Sequence, residues 1–187
     1  MKTTHQTLRY IGAIWGVVGT VVLLAYAVWR LGGYAWELTG ETLTVFEWAV
    51  LVLWSVYMLY AEGVKAFGRS FSPRVVARAQ YIAKRGNLKQ ILLAPLFCFG
   101  YFHATRKRLI VTYSVTLGII LLIVMIRFLP QPWRGILDAG AELGIVYGTL
   151  TIFYFVWKAL VSHPVEIVDP MVVTGVNMKR APAQPIQ

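Results

Sequence analysis

Four stretches of the chain are apolar for long enough to cross a bilayer. Tyr10 to Trp29 is a charge-free run of 20 residues, and Leu109 to Ile126 is one of 18, framed by Arg108 and Arg127. At 1.5 Å per residue the first run is roughly 30 Å long, the thickness of the hydrocarbon layer. Thr42 to Ala61 is interrupted only by Glu47, and Ala139 to Leu160 only by Glu142 and Lys158. The pattern predicts an all-α membrane protein with four transmembrane helices, over about 10–29, 42–61, 109–126 and 139–160. Residues 1–161 form one transmembrane domain, and the Pro-rich stretch 162–187 is expected to be an extended or disordered tail.

Between the second and third spans the periodicity changes. Ser72 is a good N-cap, Pro73 a good first helical residue, and Gly86-Asn87 a plausible stop. Within that frame Val75, Val76, Ala79, Ile82 and Ala83 share one arc, while Arg74, Arg78 and Arg85 stack opposite. This predicts an interfacial amphipathic helix with a basic face. Ile91 to Phe102 is apolar but only 12 residues long, and Pro95 and Gly100 interrupt it. A piece that short is expected to be re-entrant or interfacial rather than a fifth span.

Charge placement fixes the expected topology. Residues 62–108 hold ten bases and one acid. With four spans and the N-terminus inside, fifteen of the eighteen Lys and Arg residues fall on the cytoplasmic side. Letting Ile91–Phe102 cross would nearly even out that split, so the positive-inside rule favours four spans in the cytoplasmic (inner) membrane, with both termini cytoplasmic. The first span has an early Lys2 and Arg9 and an Ala25-Tyr26-Ala27 pattern. Its apolar run continues to Trp29, which favours a retained span over a cleaved signal. Trp29, Tyr34, Trp36, Trp48 and Trp133 are expected near the outer boundary, and Tyr10, Tyr57, Tyr60 and Trp157 near the inner one.

Composition agrees: 58% hydrophobic, 14% charged, with a mean hydropathy of +0.63. That excludes a disordered chain and an ordinary soluble domain. The net charge of +10 would suggest nucleic acid in a soluble protein. Here it is read as orientation plus attraction to anionic inner-leaflet lipid, through Arg74, Arg78, Lys84, Arg85, Arg106, Lys107 and Arg108; no nucleic-acid partner is expected.

Two further sets of residues stand out. Glu47 and Glu142 are acids inside spans, and Arg30 and Arg127 end spans on the same side. An intramembrane acid normally has a partner, so these four are expected to cluster in the outer leaflet, with Asp138 and Arg134 nearby. The cluster reads either as an ion-pair clamp or as a proton-responsive site. Gly12 and Gly16, extended by Gly19, and Gly140, Gly144 and Gly148 are spaced four apart, which makes flat strips for close helix packing. The strips lie at different levels, so they are expected to face different partners, within the bundle or in a second copy.

Catalytic signatures are missing. There is no phosphate loop, nucleophile elbow or metal-binding motif; no cofactor and no metal site are expected. The single cysteine, Cys98, makes no internal disulfide. Ser162, His163 and Asp169 are triad residue types in a tail with no scaffold to hold them.

Three stretches, FSPRVVARA (Phe71–Ala79), APLFCFGYFHATRKR (Ala94–Arg108) and LPQPWRGILDAG (Leu129–Gly140), resemble a family of small uncharacterised bacterial inner-membrane proteins. The resemblance implies a bacterial source and carries no function with it. The sequence supports a non-enzymatic membrane protein acting through lipid or protein contacts, with a membrane-protein partner or a homo-oligomer possible. The competing expectation is a small oligomeric transporter or channel using Glu47 and the broken segment Ile91–Phe102.

Overall fold

The computed structural model describes residues 2–161; the tail expected over 162–187 lies outside them. The described residues are helical throughout, joined by short turns. Four helical stretches are long and apolar enough to cross a membrane: His5–Gly40, Val45–Arg85, Arg106–Ile126 and Trp133–Val161. They fall on the four runs read from the sequence.

α1 (Lys2–Glu37) is 36 residues long, so it overshoots the 10–29 core at both ends. α2 (Val45–Met58) starts on a capping box. The Thr44 hydroxyl accepts from the Glu47 backbone N–H, and the Glu47 carboxylate accepts from the Thr44 backbone N–H. α2 then runs without a break into a π-helical stretch, Leu59–Phe71, and on into α3 (Ser72–Arg85). This corrects the separate loop helix expected after residue 62. Ser72 caps nothing: it is fully buried, its hydroxyl turned to Gly148 O and Thr151 Oγ1 of the last span. Pro73 lacks the N–H that an α-helix would use, and the wider π winding just before it carries the chain past that missing bond.

α3 does not lie with its apolar arc open to lipid either. Val75, Val76, Ala79 and Ile82 are buried, packed against α1 and the segment that follows. The expected stop at Gly86 holds. There Arg9 of α1 donates to Lys84 O at 3.1 Å, capping the end of α3 with a cation.

The short apolar segment forms two small helices, α4 (Leu88–Leu92) and α5 (Ala94–Phe99), which bend at Leu93. Both rest on the glycine strip of α1. A Cβ added at Gly12 would come within 2.9 Å of Ile91, one at Gly16 within 2.9 Å of Cys98 Sγ, and one at Gly19 within 2.4 Å of Pro95. The contacts climb α1 from Gly12 to Gly19 and return to Gly16. The segment therefore follows α1 from Gly12 to Gly16, and after the bend at Leu93 one turn of α5 seats Ala94, Pro95 and Cys98 on Gly16 and Gly19. Phe97, Ala94 and Cys98 are buried there with Val75, Ile82 and Tyr81 in one core.

α6 (Arg106–Ile126) follows a turn holding two left-handed residues, Gly100 (φ 95°) and His103 (φ 52°). α7 (Trp133–Val161) begins earlier than the expected 139, directly after a Pro, the usual start of a helix. It lies between α1 and the long second helix, pairing with both. Its glycine strip receives the second helix: a Cβ at Gly140 would meet Trp54, one at Gly144 Glu62, and one at Gly148 Phe67. Both strips thus have partners inside the chain, and different ones. α6 is different. Its apolar core has no residue buried by the rest of the protein.

Candidate functional site

The bases concentrate at one end of the bundle, and three of them converge. The end of the π-helical stretch contributes Phe71, α3 Arg74 and Arg78, α5 Cys98 and Phe99, the following turn Gly100, and the foot of α6 Arg108 and Thr112. Together they line a small cleft whose closed part, about 10 Å³, has room for one water-sized group, the rest being an open mouth. The three guanidiniums are close enough to repel one another. No carboxylate neutralises them, since among the described residues the one ion pair is Arg134–Asp138 at 3.8 Å.

The three arginines do different work. Arg78 is 8% exposed, which corrects its expected place on an open basic face. Its Nη1 donates to Phe97 O at 2.6 Å and to Phe102 O at 3.4 Å. The guanidinium also sits 4.9 Å from the centre of the Phe97 ring. A cation thus meets the carbonyl end of α5, which Gly100 closes in its left-handed conformation. Arg74 spends only its Nε–H, on Ser70 O. Arg108 has no hydrogen-bond partner among the described residues, and like Arg74 it is only half-buried. Lys84, Arg85, Arg106 and Lys107 are exposed and line no cleft with them.

The start of α6 adds to the positive field. Its N-cap, Thr105, makes no side-chain capping bond, and no acid stands in its first turn. Arg106, Lys107 and Arg108 occupy that turn instead. Bases at the positive end of a helix are unfavourable unless an anion joins them.

Cys98 sits beside Arg78 in the wall of the cleft. Burial pushes its thiol up to about 12, with the Arg78 guanidinium pulling the other way. A maleimide at neutral pH should leave Cys98 unmodified in the folded protein and label it fully after denaturation, as read by intact mass. Rapid labelling of the folded protein would mean that α5 does not stay on α1.

The expected outer-leaflet cluster does not form. Glu47 is a half-buried cap residue, its carboxylate held by Thr44 N at 2.7 Å and Thr44 Oγ1 at 2.8 Å. The second helix starts at Val45 rather than Thr42, so Glu47 falls in the first turn, where a carboxylate is at home. Arg30 and Arg127 are exposed and form no ion pair among the described residues. Glu142 lies against Gly32 of α1. What does assemble at that end is a different set. The Arg134 guanidinium stacks 3.5 Å from the centre of the Tyr34 ring while paired to Asp138. Gln131 donates to Glu37 at 2.8 Å and accepts from the Gly135 N–H. These contacts tie the end of α1 to the start of α7.

One acid that sequence reasoning assigned to the loop lies elsewhere. Glu62 is in the π-helical stretch, packed against Gly144, eleven residues along α7 from Trp133 and so roughly 16 Å from its start. The shift of the helix end from 61 to 85 puts it there. Among the described residues no group of His, Cys, Asp and Glu is placed to hold a metal ion.

Comparison with known protein families, with curated proteins and with solved structures finds no match. The class is therefore set by the fold alone: a helical protein with four helices able to span a membrane.

Proposed function

We infer that this is a non-enzymatic protein of the cytoplasmic membrane, both termini cytoplasmic, that acts through contacts with lipid or with another membrane protein, as a scaffold, accessory subunit or envelope factor. The observation that carries the reading is α6. Its foot meets the cleft and Tyr101, but beyond Thr116 it is apolar with no residue buried by the bundle, so that surface is offered to whatever surrounds it. The crowding of bases into residues 62–108 supports the orientation, and their arrangement supports an anionic contact.

The second reading, a small oligomeric transporter or channel, draws support from Glu62 rather than from Glu47. An acid against a glycine strip within a π-helical stretch is the kind of group that carries protons or cations across a bilayer. Purified protein in sealed vesicles decides between them. Under the contact reading, proton and cation flux equals that of empty vesicles, and Glu62→Gln changes nothing. Flux that depends on the protein and vanishes in Glu62→Gln would replace the contact reading with transport.

A further inference from the structure

We propose that the cleft of Arg74, Arg78 and Arg108 is a binding site for a phosphate group, and that the phosphate is the headgroup of an anionic phospholipid. The proposal rests on the lipid-contact reading above and gives it a site. Three independent features converge. First, three guanidiniums line one cleft with no carboxylate among the described residues to neutralise them. Such a gathering of like charge is costly until an anion arrives. Second, the arginines are not equivalent. Arg78 is locked by two carbonyls, whereas Arg74 and Arg108 keep their terminal nitrogens free of partners among the described residues. Two guanidiniums with unspent terminal donors beside a locked one can grip a phosphate from several sides. Third, the foot of α6 brings its own uncapped N–H groups to the same place, and Thr112 adds a hydroxyl.

The surroundings select a lipid over a free phosphate ester. The cleft is open-mouthed and encloses no more than a water, so a phosphate would rest at its mouth against the guanidiniums. Directly beyond, on the face of α6 that Arg108 shares, lies a bare apolar flank, with Val111, Val115 and Leu122 each more than half exposed. A diacyl chain running from a phosphate held at Arg108 would lie along that flank. The exposed bases Lys84 and Arg85 lack both features.

The test uses the full chain in nanodiscs of phosphatidylcholine with a minor fraction of phosphatidylglycerol, followed by native mass spectrometry of the lipids retained. Wild type should keep phosphatidylglycerol in preference to phosphatidylcholine. The double substitution R74Q/R108Q should lower that preference by about thirtyfold, the factor two bases near a lipid surface supply. K84Q/R85Q removes the same net charge and should leave the preference within about twofold, because those bases line no cleft. If R74Q/R108Q does not yield folded protein, R108Q alone should give about a fivefold loss. An equal loss in K84Q/R85Q, or no loss in R74Q/R108Q or R108Q, would overturn the site and leave the lipid-contact reading standing. Wild type with no preference for phosphatidylglycerol would overturn both. A second arm titrates glycerol 3-phosphate into pure phosphatidylcholine discs. Binding that R108Q abolishes would support the phosphate site but assign it to a soluble ester.

Discussion

Replacing Gly140 or Gly148 with Ala should destabilise the protein, whereas Gly118→Ala should leave it unchanged or slightly more stable. A Cβ at Gly140 would sit 2.4 Å from Trp54 Cδ1, and one at Gly148 2.4 Å from Phe67 Cγ. Neither ring can yield cheaply. The Trp54 indole N–H donates to Leu137 O at 3.2 Å, so swinging the ring away breaks a bond inside a low-dielectric bundle. Phe67 is wedged edge-on to Phe71. Overpacking of this kind costs about 1–3 kcal/mol. Against that stands the gain of about 1 kcal/mol that Ala brings over Gly in a helix, so the net is a loss. At Gly118 nothing lies within 4 Å of an added Cβ, and only the gain remains. The measurement is the temperature at which the detergent-solubilised protein loses its monodisperse peak. Gly140→Ala and Gly148→Ala melting together with wild type would refute the packing.

Truncating Arg78 to Met should cost about 2 kcal/mol, from the loss of a buried charged hydrogen bond to Phe97 O, a carbonyl that keeps only the Gly100 N–H. The carbonyls of Phe97 and Phe102 have this guanidinium as their side-chain donor. The aliphatic stem is kept, so the loss reports the charge and its bonds rather than a cavity. Arg78→Lys keeps the charge, but its point-like ammonium cannot stack on Phe97 as the planar guanidinium does, and an intermediate midpoint is expected. A second readout separates local from global failure. With the cation gone from its carbonyl end, α5 keeps only the backbone cap of Gly100 and Tyr101 and should loosen first, so Cys98 in Arg78→Met should react with maleimide well below the unfolding temperature. An unchanged midpoint with Cys98 still closed would show that Arg78 does not hold α5.

The spans were legible because hydrocarbon thickness imposes a length, and long charge-free runs are rare otherwise. Where the second span ends was not. Ser72-Pro73 is a strong start signal, and the bases after Glu62 suggest exit from the membrane. Both are overridden because α1 and α7 offer a surface that buries the arc of Val75 and Ile82. A π-helical winding has no sequence signature of that strength. Arg78 shows the limit of wheel arguments. Its spacing from Arg74 and Arg85 marks a polar face, but the carbonyls that claim it arrive from the Phe97–Phe102 turn, which no local pattern reveals. Glu47 is the opposite case. Thr44-x-x-Glu47 is a capping-box signature that could have been read before any thought of an intramembrane acid. The arginine cleft was half legible: Arg74, Arg78 and Arg108 stood among the expected lipid contacts, but not which three converge.

The position of α7 in the chain also bears on how the molecule can be built. The glycines that seat Trp54, Glu62 and Phe67 all lie on α7, the fourth of the four described spans to leave the ribosome. Until it arrives, the second helix has no strip to close on. The α1 strip, by contrast, can be covered as soon as residue 99 has been made. Assembly is therefore two-stage by geometry: a local docking of α4 and α5 on α1, then a longer-range closure of α7 on the second helix across more than eighty residues of chain. α6 belongs to neither stage, which leaves it free for an outside partner from the moment it is inserted.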